Sequence, residues 1–267
     1  MADTALEITV LRDAAEPGPV AMARDLALGR ALRGEKRPAV IARIHDWAAP
    51  TLTLGRTQTP AAGLRRDADA VGVCLARRPT GGGWLLHLPG DAALTLALGP
   101  LSGAGAFRET ARRVARAIAD ALGRCGIPAE VLTGRGTPST RSEVCFNRGD
   151  RDEVAVGSTK VAGVALARLG SAVLVQTALP LRPSGGGLAD FERRWDPARG
   201  AAVARLAGLD RERLREEFVE ALGAGFGATP RAGRWRAAWL AAAGPSASPG
   251  DGARSAGAPR PGDAAGP

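Results

Sequence analysis

The chain of 267 residues is poor in the residue types that several classes of protein need. Its three cysteines, Cys74, Cys125 and Cys145, are odd in number and lack the paired spacing of zinc ligands, which argues against a disulfide framework and a zinc site. The two histidines, His45 and His87, do not form a metal-type pair. We therefore expect no bound metal. Free thiols are typical of a reducing compartment.

Long apolar runs are also missing. No segment approaches the ~20 consecutive apolar residues that a membrane-spanning helix needs. The first residues include Asp3 and Glu7 and show no basic start followed by an apolar run, so they do not read as a signal peptide. These absences predict a cytoplasmic protein without a membrane partner.

Aromatic residues are few, with no Tyr, five Phe and five Trp, whereas arginine is abundant and the formal net charge is +9. A basic surface favours acidic partners through electrostatic steering. Nucleic acid is not expected, because the arginines are dispersed and no basic run with interleaved aromatic residues occurs. An acidic carrier protein is the other class of partner that this charge favours.

Hydrophobic periodicity predicts an α+β fold that is rich in strands and flanked by helices. Predicted strands cover 6–11, 39–45, 51–54, 73–78, 84–87 and 94–98, a hairpin turns at 157–158, and helices cover 19–32, 60–69, 107–122, 188–195, 201–206 and 210–222. A last helix is expected to carry Trp235 and Trp239, which are four residues apart. Residues 1–240 are interpreted as one domain, and 241–267 as a disordered tail of Pro, Gly, Ser and Ala.

The segment from Glu143 to Leu179 holds two candidate functional residues. Lys160 follows the predicted turn and is one of only two lysines in a chain with 36 basic residues. An ammonium is compact and its pKa can be tuned, so it suits an acyl carbonyl better than a guanidinium does. Cys145 precedes the hairpin and needs a nearby cation or base to act as a nucleophile. The alternatives are a surface lysine and a structural cysteine.

A second segment reads Arg77-Arg78-Pro79-Thr80-Gly81-Gly82-Gly83 and lies between predicted strands. Three consecutive glycines leave main-chain N–H groups open to a ligand, and the two arginines offer planar donors for a carboxylate or phosphate. A plain hairpin with exposed arginines is the alternative. His87 closes the following strand, where a packed or solvated histidine is more common than a catalytic one.

Taken together, these motifs resemble the catalytic domain of the lipoate-protein ligase, octanoyltransferase and biotin-ligase family over about residues 20 to 180. The Arg-Arg-x-x-Gly-Gly-Gly-x-x-x-His pattern is met by Arg77, Arg78, Gly81, Gly82, Gly83 and His87, and the Lys-x-x-Gly-x-Ala pattern by Lys160, Gly163 and Ala165. A further motif is met by Trp47, Pro50, Gly55 and Gln58. Upstream, the segment from Met22 to Leu28 is similar to the family's first helix. Four motifs in the family's order are far more specific than any one of them.

The resemblance implies a central mixed, largely antiparallel sheet with helices on its outer face. It also implies that Lys160 holds an acyl carbonyl. The substrate slot would be lined by Thr80 with the neighbouring glycines and arginines, and by His87, Gly163 and Ala165. Cys145 followed by Phe146, with Glu153 eight residues on, is similar to the cysteine-dependent octanoyltransferases. The resemblance then implies octanoyl or lipoyl transfer from acyl carrier protein to a lysine of a lipoyl domain or a glycine-cleavage H-type protein.

Transfer from an activated donor through a Cys145 thioester needs no cofactor. Two other readings stay open: a lipoate-protein ligase that uses ATP and Mg, and a divergent relative that binds an acyl carrier without turnover. The chain departs from the family's pattern at four positions, which carry Leu88 in place of Asp, Val164 in place of Ser, and Thr177-Ala178 in place of His-Gly. These departures bear on substrate choice and on activity.

Overall fold

The computed structural model describes residues 6–101, 105–133, 144 and 152–241. Its strands are β1 (Leu6–Glu16), β2 (Ala39–Trp47), β3 (Thr51–Leu54), β4 (Cys74–Arg77), β5 (Leu85–His87), β6 (Ala92–Gly99), β7 (Glu130–Val131), β8 (Val154–Val156), β9 (Thr159–Leu169), β10 (Ala172–Leu179) and β11 (Ala228–Ala232). Its α-helices are α1 (Gly18–Ala31), α2 (Leu64–Ala70), α3 (Ala106–Arg124), α4 (Gly186–Trp195), α5 (Pro197–Arg205), α6 (Arg211–Phe226) and α7 (Ala237–Ala241).

Eight strands form one large mixed sheet in the order β11-β1-β2-β6-β10-β9-β8-β7. β1 pairs in parallel with both β11 and β2, and every later neighbour in the sheet is antiparallel. The predicted mixed, largely antiparallel sheet is therefore confirmed. The hairpin predicted at 157–158 is confirmed as well, because it joins β8 to β9.

Helices cover both faces of the large sheet. The apolar stripe of α3 repeats every four residues, and Val114, Ile118 and Leu122 are all buried on the face that α3 shares with α6. Leu28 of α1 packs on the opposite face with Trp239 of α7. Because both faces are covered, the central strand β6 is buried along its whole length, which explains its continuous run of small and apolar residues.

A smaller sheet of three strands, in the order β4-β3-β5, lies apart from the large one and has its own core. Leu52 and Leu86 pack there against α2 and α4. The indole N–H of Trp84 donates to the carbonyl of Trp195 at 2.7 Å, which ties this sheet to the end of α4. The sequence predicted its strands but not their separation into a second sheet.

The C-terminal part of the chain differs from the prediction in two ways. Trp235 lies before α7 and not within it; its indole nitrogen donates to Asp13 at 2.8 Å, and its ring meets that of Trp239 edge-on with centroids 6.5 Å apart. β11 was not predicted, because Pro and Arg break the strand pattern of its sequence. The predicted tail, 241–267, lies outside the described residues except for Ala241, which is the last residue of α7. No helix in the described part of the chain is long and apolar enough to cross a bilayer.

Candidate active site

Two rows of side chains cross the large sheet beneath α1. Strand register aligns His45, Ala93, Ala178 and Gly163 in one row, on β2, β6, β10 and β9 in turn. The neighbouring row is Arg43, Thr95, Gln176 and Ala165. Residues two apart on a strand share a face, so both rows point the same way. Small residues on β6, β9 and β10 leave the space above them open.

That space is a cavity of about 40 Å³ between the large sheet, α1 and the small sheet. Four of the predicted site residues line it: Arg78, His87, Gly163 and Ala165. The other lining residues are Met22, Asp25, His45, Trp47, Thr53, Leu85, Ala93, Thr95, Gln176, Thr177 and Ala178. Segments that are far apart in the sequence therefore meet around one chamber.

Lys160 lies at the start of β9, three residues before the cavity residue Gly163, and does not itself line the cavity. The register between β8 and β9 shifts at this point, and the consecutive residues Val161 and Ala162 both pack into the same core. Such a bulge places two neighbours on one face. Lys160 is thereby turned to the face that carries Gly163.

The ammonium of Lys160 is buried and paired. Its Nζ lies 2.5 Å from Oε1 of Glu153, and the two side chains are only 4% and 9% exposed. A charge pair removed from water keeps most of its electrostatic strength. The lysine is therefore a fixed cation in a low-dielectric environment, as expected of a functional lysine and unlike a surface strand lysine.

Both arginines of the glycine segment bind main-chain carbonyls. Nη1 of Arg77 donates to the carbonyl oxygens of Gly55 at 2.8 Å and Gln58 at 2.9 Å. Nη2 of the buried Arg78 donates to those of Gly81 at 2.7 Å and Gly83 at 2.6 Å. The guanidinium groups that were predicted to bind a ligand's carboxylate or phosphate thus stabilise the conformation of the glycine segment. Arg78 also lines the cavity.

Two glycines let this segment approach β3 closely. A Cβ on Gly55 would lie 2.0 Å from the carbonyl oxygen of Gly82, which leaves no room for a side chain. Gly82 has φ of +96°, a conformation that favours glycine. Thr80 Oγ1 donates to Oε1 of Gln176 at 2.7 Å and so fastens the segment to the large sheet. Residues 55 and 77–83, which carry part of the family resemblance, therefore pack together as one unit.

A buried polar network under α1 was missed by the sequence analysis. Arg43 is fully buried and donates to Asp25 at 2.6 Å, to Asp13 at 2.7 Å and to Glu16 at 2.5 Å. Asp25 in turn accepts from Gln176 at 2.6 Å. Burial raises the pKa of Asp25, and the neighbouring guanidinium opposes that rise. An arginine within the apolar strand 39–45 was the one signal that pointed to this network.

His87 is packed on both sides. Its ring stacks on Trp47 with centroids 4.1 Å apart, and its Nε2 lies 2.9 Å from Oγ1 of Thr53. Burial, and then the charge of Arg78, hold the pKa of His87 well below its ordinary value. The imidazole is therefore neutral near pH 7 and forms part of the cavity wall.

The sequence from residue 17 to 225 matches the family model described as the lipoyl protein ligase A/B catalytic domain. The chain belongs to this family. The match includes the motifs that carry the resemblance, and it extends through α6. The residues of the cavity are therefore those of a lipoyl protein ligase A/B catalytic domain.

Curated relatives of this family member include proteins named octanoyltransferase LipM. One from Symbiobacterium thermophilum is 32% identical over 168 residues, which is 59% of this chain and 59% of the relative. One from Exiguobacterium sibiricum is 32% identical over 199 residues, which is 70% of this chain and 71% of the relative. The chain spans about three fifths of the length of the first of these relatives.

Solved structures of the family share the fold. A lipoate protein ligase from T. acidophilum with bound lipoic acid superposes with a TM-score of 0.72 at 18% identity, over 90% of this chain and 93% of that one. A bi-partite lipoate protein ligase described with its E2 lipoyl domain, from Thermoplasma acidophilum, gives 0.69 at 18% identity, over 89% and 91%. At 18% sequence identity, the structural similarity shows a shared fold.

A second buried cluster lies behind β5 of this catalytic domain. Asp196 accepts from the main-chain nitrogen of Leu86 at 3.1 Å through Oδ2, whereas its Oδ1 has no partner among the described residues. Burial raises the pKa of Asp196 to about 7, and the charges of Arg199 and Lys160 oppose the rise. No motif in the sequence pointed to this carboxyl group.

The candidate nucleophile Cys145 lies outside the described residues. The two described cysteines, Cys74 and Cys125, are half-buried free thiols, and burial raises the pKa of each. Such thiols pack as small hydrophobic residues. Across the described ranges, no group of three or more His, Cys, Asp and Glu side chains could hold a metal ion.

Proposed function

We propose that this chain is an acyltransferase that moves an octanoyl or lipoyl group onto a lysine of a lipoyl carrier domain. The observation that carries the proposal is the buried Lys160–Glu153 pair, whose lysine lies on β9, the strand that also carries the cavity residues Gly163 and Ala165. The likeness to octanoyltransferases at 32% identity supports the reaction class. The smooth wall made by Gly163 and Ala165 suits an acyl chain.

Lys160 holds the carbonyl oxygen of the acyl group. Its ammonium polarises the carbonyl and stabilises the oxyanion that forms when a nucleophile attacks. Glu153 fixes the position of the ammonium, so little reorganisation is needed during the reaction. Arginine would not serve as well, because its planar fork is larger than the space left by a lysine that is 4% exposed.

Cys145 is the proposed nucleophile. Its thiolate attacks the carbonyl carbon of the donor thioester, a new C–S bond forms, and the donor's thiol leaves with a proton. The amine of the acceptor lysine then attacks the acyl-enzyme, an amide forms, and Cys145 is released as a thiol. Both steps exchange existing bonds, so the reaction requires no ATP.

The proposed donor is octanoyl-acyl carrier protein, and the acceptor is a lipoyl domain or a glycine-cleavage H-type protein. The net charge of +9 suits acidic carriers. The structural relative described together with its E2 lipoyl domain supports the class of acceptor. We place the reaction in the cytoplasm, where the thiols stay reduced.

A mass measurement tests the proposal. Incubation of the protein with octanoyl-acyl carrier protein should add the mass of one octanoyl group, and hydroxylamine should remove it. Cys145→Ala should abolish the adduct, whereas the control Cys125→Ala should retain it. An absent adduct on the unaltered protein, or an undiminished adduct on Cys145→Ala, contradicts the thioester route.

An ATP-dependent lipoate ligase is the second candidate, because the solved neighbours of the same fold are lipoate protein ligases. In that reaction Lys160 would contact a lipoyl-adenylate, and ATP with Mg would supply the activation. Release of pyrophosphate that depends on lipoate and needs no carrier protein would favour the ligase. A hydroxylamine-sensitive adduct formed without ATP would favour the transferase.

A further inference from the structure

The cavity has less room than the acyl group that it is proposed to hold. A volume of about 40 Å³ admits about three water-sized groups, whereas an octanoyl group has eight carbon atoms. The surface that lines the cavity is almost wholly apolar, which suits an acyl chain but adds no space. Entry of the chain therefore requires a side chain of the wall to move.

A larger space lies directly beside the cavity. It is a groove of about 480 Å³ between α1 and β4, lined by Leu26 of α1, Leu75 of β4 and Leu169 at the end of β9. Two of the described residues, Met22 and Arg78, line both the cavity and the groove. These two side chains therefore separate one space from the other.

Arg78 is the fixed member of this pair. Its guanidinium donates to the carbonyl oxygens of Thr53 at 3.1 Å, Gly81 at 2.7 Å and Gly83 at 2.6 Å. Moving a buried guanidinium would leave these hydrogen bonds unmade, at a large cost in free energy. Arg78 therefore stays in place when the cavity changes size.

Met22 is the member that can move. It packs with Ala93 of the cavity and with Ala76 of the groove, and both neighbours are small. Its sulfur, a weak acceptor, accepts from Nε2 of Gln176 at 3.4 Å. An unbranched side chain with three rotatable bonds adapts to the space around it. Met22 can therefore turn toward the groove, where there is room for it.

Met22 lies on the side of the cavity away from Lys160. Along β9, Lys160 comes first, Ala165 follows in the cavity, and Leu169 lies in the groove. Gln176, which bonds the sulfur of Met22, is the register partner of Ala165. An acyl chain that starts near Lys160 and crosses the cavity therefore meets Met22 before it reaches the groove.

The length of an octanoyl chain matches this position. Extended, the chain measures roughly 9 Å, since each C–C bond of about 1.5 Å advances a zig-zag chain by less than its length. A strand advances by about 10 Å in three residues, which is the separation of Lys160 from Gly163. The octanoyl chain therefore ends at the rows of Gly163 and Ala165, where Met22 stands. A longer chain would have to pass Met22.

We propose that Met22 limits the length of the acyl chain that the cavity accepts. It turns toward the groove to make room for a medium-chain acyl group, and in that position it closes the groove to longer chains. The proposal rests on the proposed function only in taking this cavity as the acyl site. A smaller residue at this position would join the cavity and the groove into one channel.

Calorimetric titration with the N-acetylcysteamine thioesters of hexanoic, octanoic and dodecanoic acid tests the limit. The reference protein is the full chain with Cys145→Ala, which cannot carry out the proposed acyl transfer. It should bind the octanoyl thioester at least tenfold more tightly than the dodecanoyl thioester. Adding Met22→Ala should raise the affinity for dodecanoyl relative to octanoyl by at least tenfold, because burying two of the four additional methylene groups gives about that factor.

A larger residue should have the opposite effect. Met22→Phe, which is bulkier and stiffer, should shift the preference from octanoyl toward hexanoyl by about fourfold, the effect of one methylene group that is no longer buried. Leu26→Ala is the matched control, because Leu26 lies one turn further along α1 and lines the groove but not the cavity. It should leave every ratio unchanged. Leu26→Trp added to Met22→Ala fills the groove and should reverse the gain for dodecanoyl.

Retained binding of the hexanoyl or octanoyl thioester shows that a variant is folded. Equal affinity of the reference protein for octanoyl and dodecanoyl overturns the proposal, as does its failure to bind any of the thioesters. A ratio that Met22→Ala leaves within twofold, or an equal gain in Leu26→Ala, overturns it as well. If Met22→Ala does not fold, an unchanged preference in Met22→Phe has the same consequence.

These titrations need neither turnover nor a carrier protein. A chain-length preference that responds to Met22 in a protein without acyl transfer supports the limit and counts against the proposed function. Acyl transfer by a protein whose preference does not respond to Met22 supports the function and removes the limit.

Discussion

Replacing Lys160 with methionine removes the buried ammonium while keeping most of the side-chain stem. If the ammonium stabilises the developing oxyanion, its loss should lower the rate of octanoyl transfer about 10²- to 10³-fold, the usual effect of deleting one such donor. The structure also predicts a loss of stability. Both side chains of the pair are at least nine-tenths buried, so removing one charge should cost about 3 kcal/mol.

The double variant Lys160→Met with Glu153→Gln separates the two effects. It buries neither charge of the pair, so part of the lost stability should return, with a coupling of about 1–3 kcal/mol between the two substitutions. The transfer rate should stay low, because the ammonium is still missing. Lys36→Met, which alters the chain's other lysine at an exposed position, should change neither quantity.

Transfer is measured by mass spectrometry of a lipoyl-domain acceptor, and stability by urea unfolding followed through tryptophan fluorescence. A Lys160→Met protein that keeps more than a tenth of the transfer rate would refute the oxyanion role. Strictly additive stability changes in the two single variants would refute the buried pair. The two results are independent, so the oxyanion role and the buried pair can each be refuted alone.

Three other predictions concern the surroundings of the site. Arg43→Met removes the cation shared by three carboxylates and should destabilise the protein by about 3–5 kcal/mol at pH 7. The deficit in urea unfolding should be smaller at pH 5, because burial raises the pKa of Glu16 and of Asp25. The pKa of Asp196 is about 7 in the folded protein against about 3.9 in the unfolded chain. The free energy of unfolding should therefore fall by up to about 4 kcal/mol as pH rises from 4 to 7. Unfolding of Asp196→Asn should lack this dependence on pH. Gly55→Ala, which places a Cβ against the carbonyl of Gly82, should cost about 1–3 kcal/mol and slow transfer, whereas Gly34→Ala, with open space around it, should do neither.

The sequence predicted those parts of the site that lie in contiguous motifs. Lys160 stood out because the chain rarely uses lysine, and the glycine segment stood out because three adjacent glycines seldom occur without a backbone requirement. The hairpin that carries Lys160 could also be predicted from its own sequence. Local spacing and local turn chemistry encode such features directly, so they could be read without a structure.

The network around Arg43 could not be predicted in this way. Arg43 meets Asp25 across 18 residues, and Gln176 meets Asp25 across 151. Contacts of this length depend on strand order, and the pairing of β6 with both β2 and β10 cannot be read from the pattern of any one strand. The carbonyl partners of Arg77 could not be predicted for the same reason, because they lie on the loop after β3. Those of Arg78 lie within its own segment and on β3.

Sequence alone was enough to predict the α+β class and the candidate lysine, because each depends on periodicity or on residues close together in the chain. The family and the largely antiparallel sheet followed from the resemblance that the motifs carry. Tertiary structure decided which way Lys160 faces, since the bulge in β9 sets its side of the sheet. It also decided that His45 reaches the cavity that Gly163 and Ala165 line. Strand register, which arises only when distant segments pair, brings these residues together.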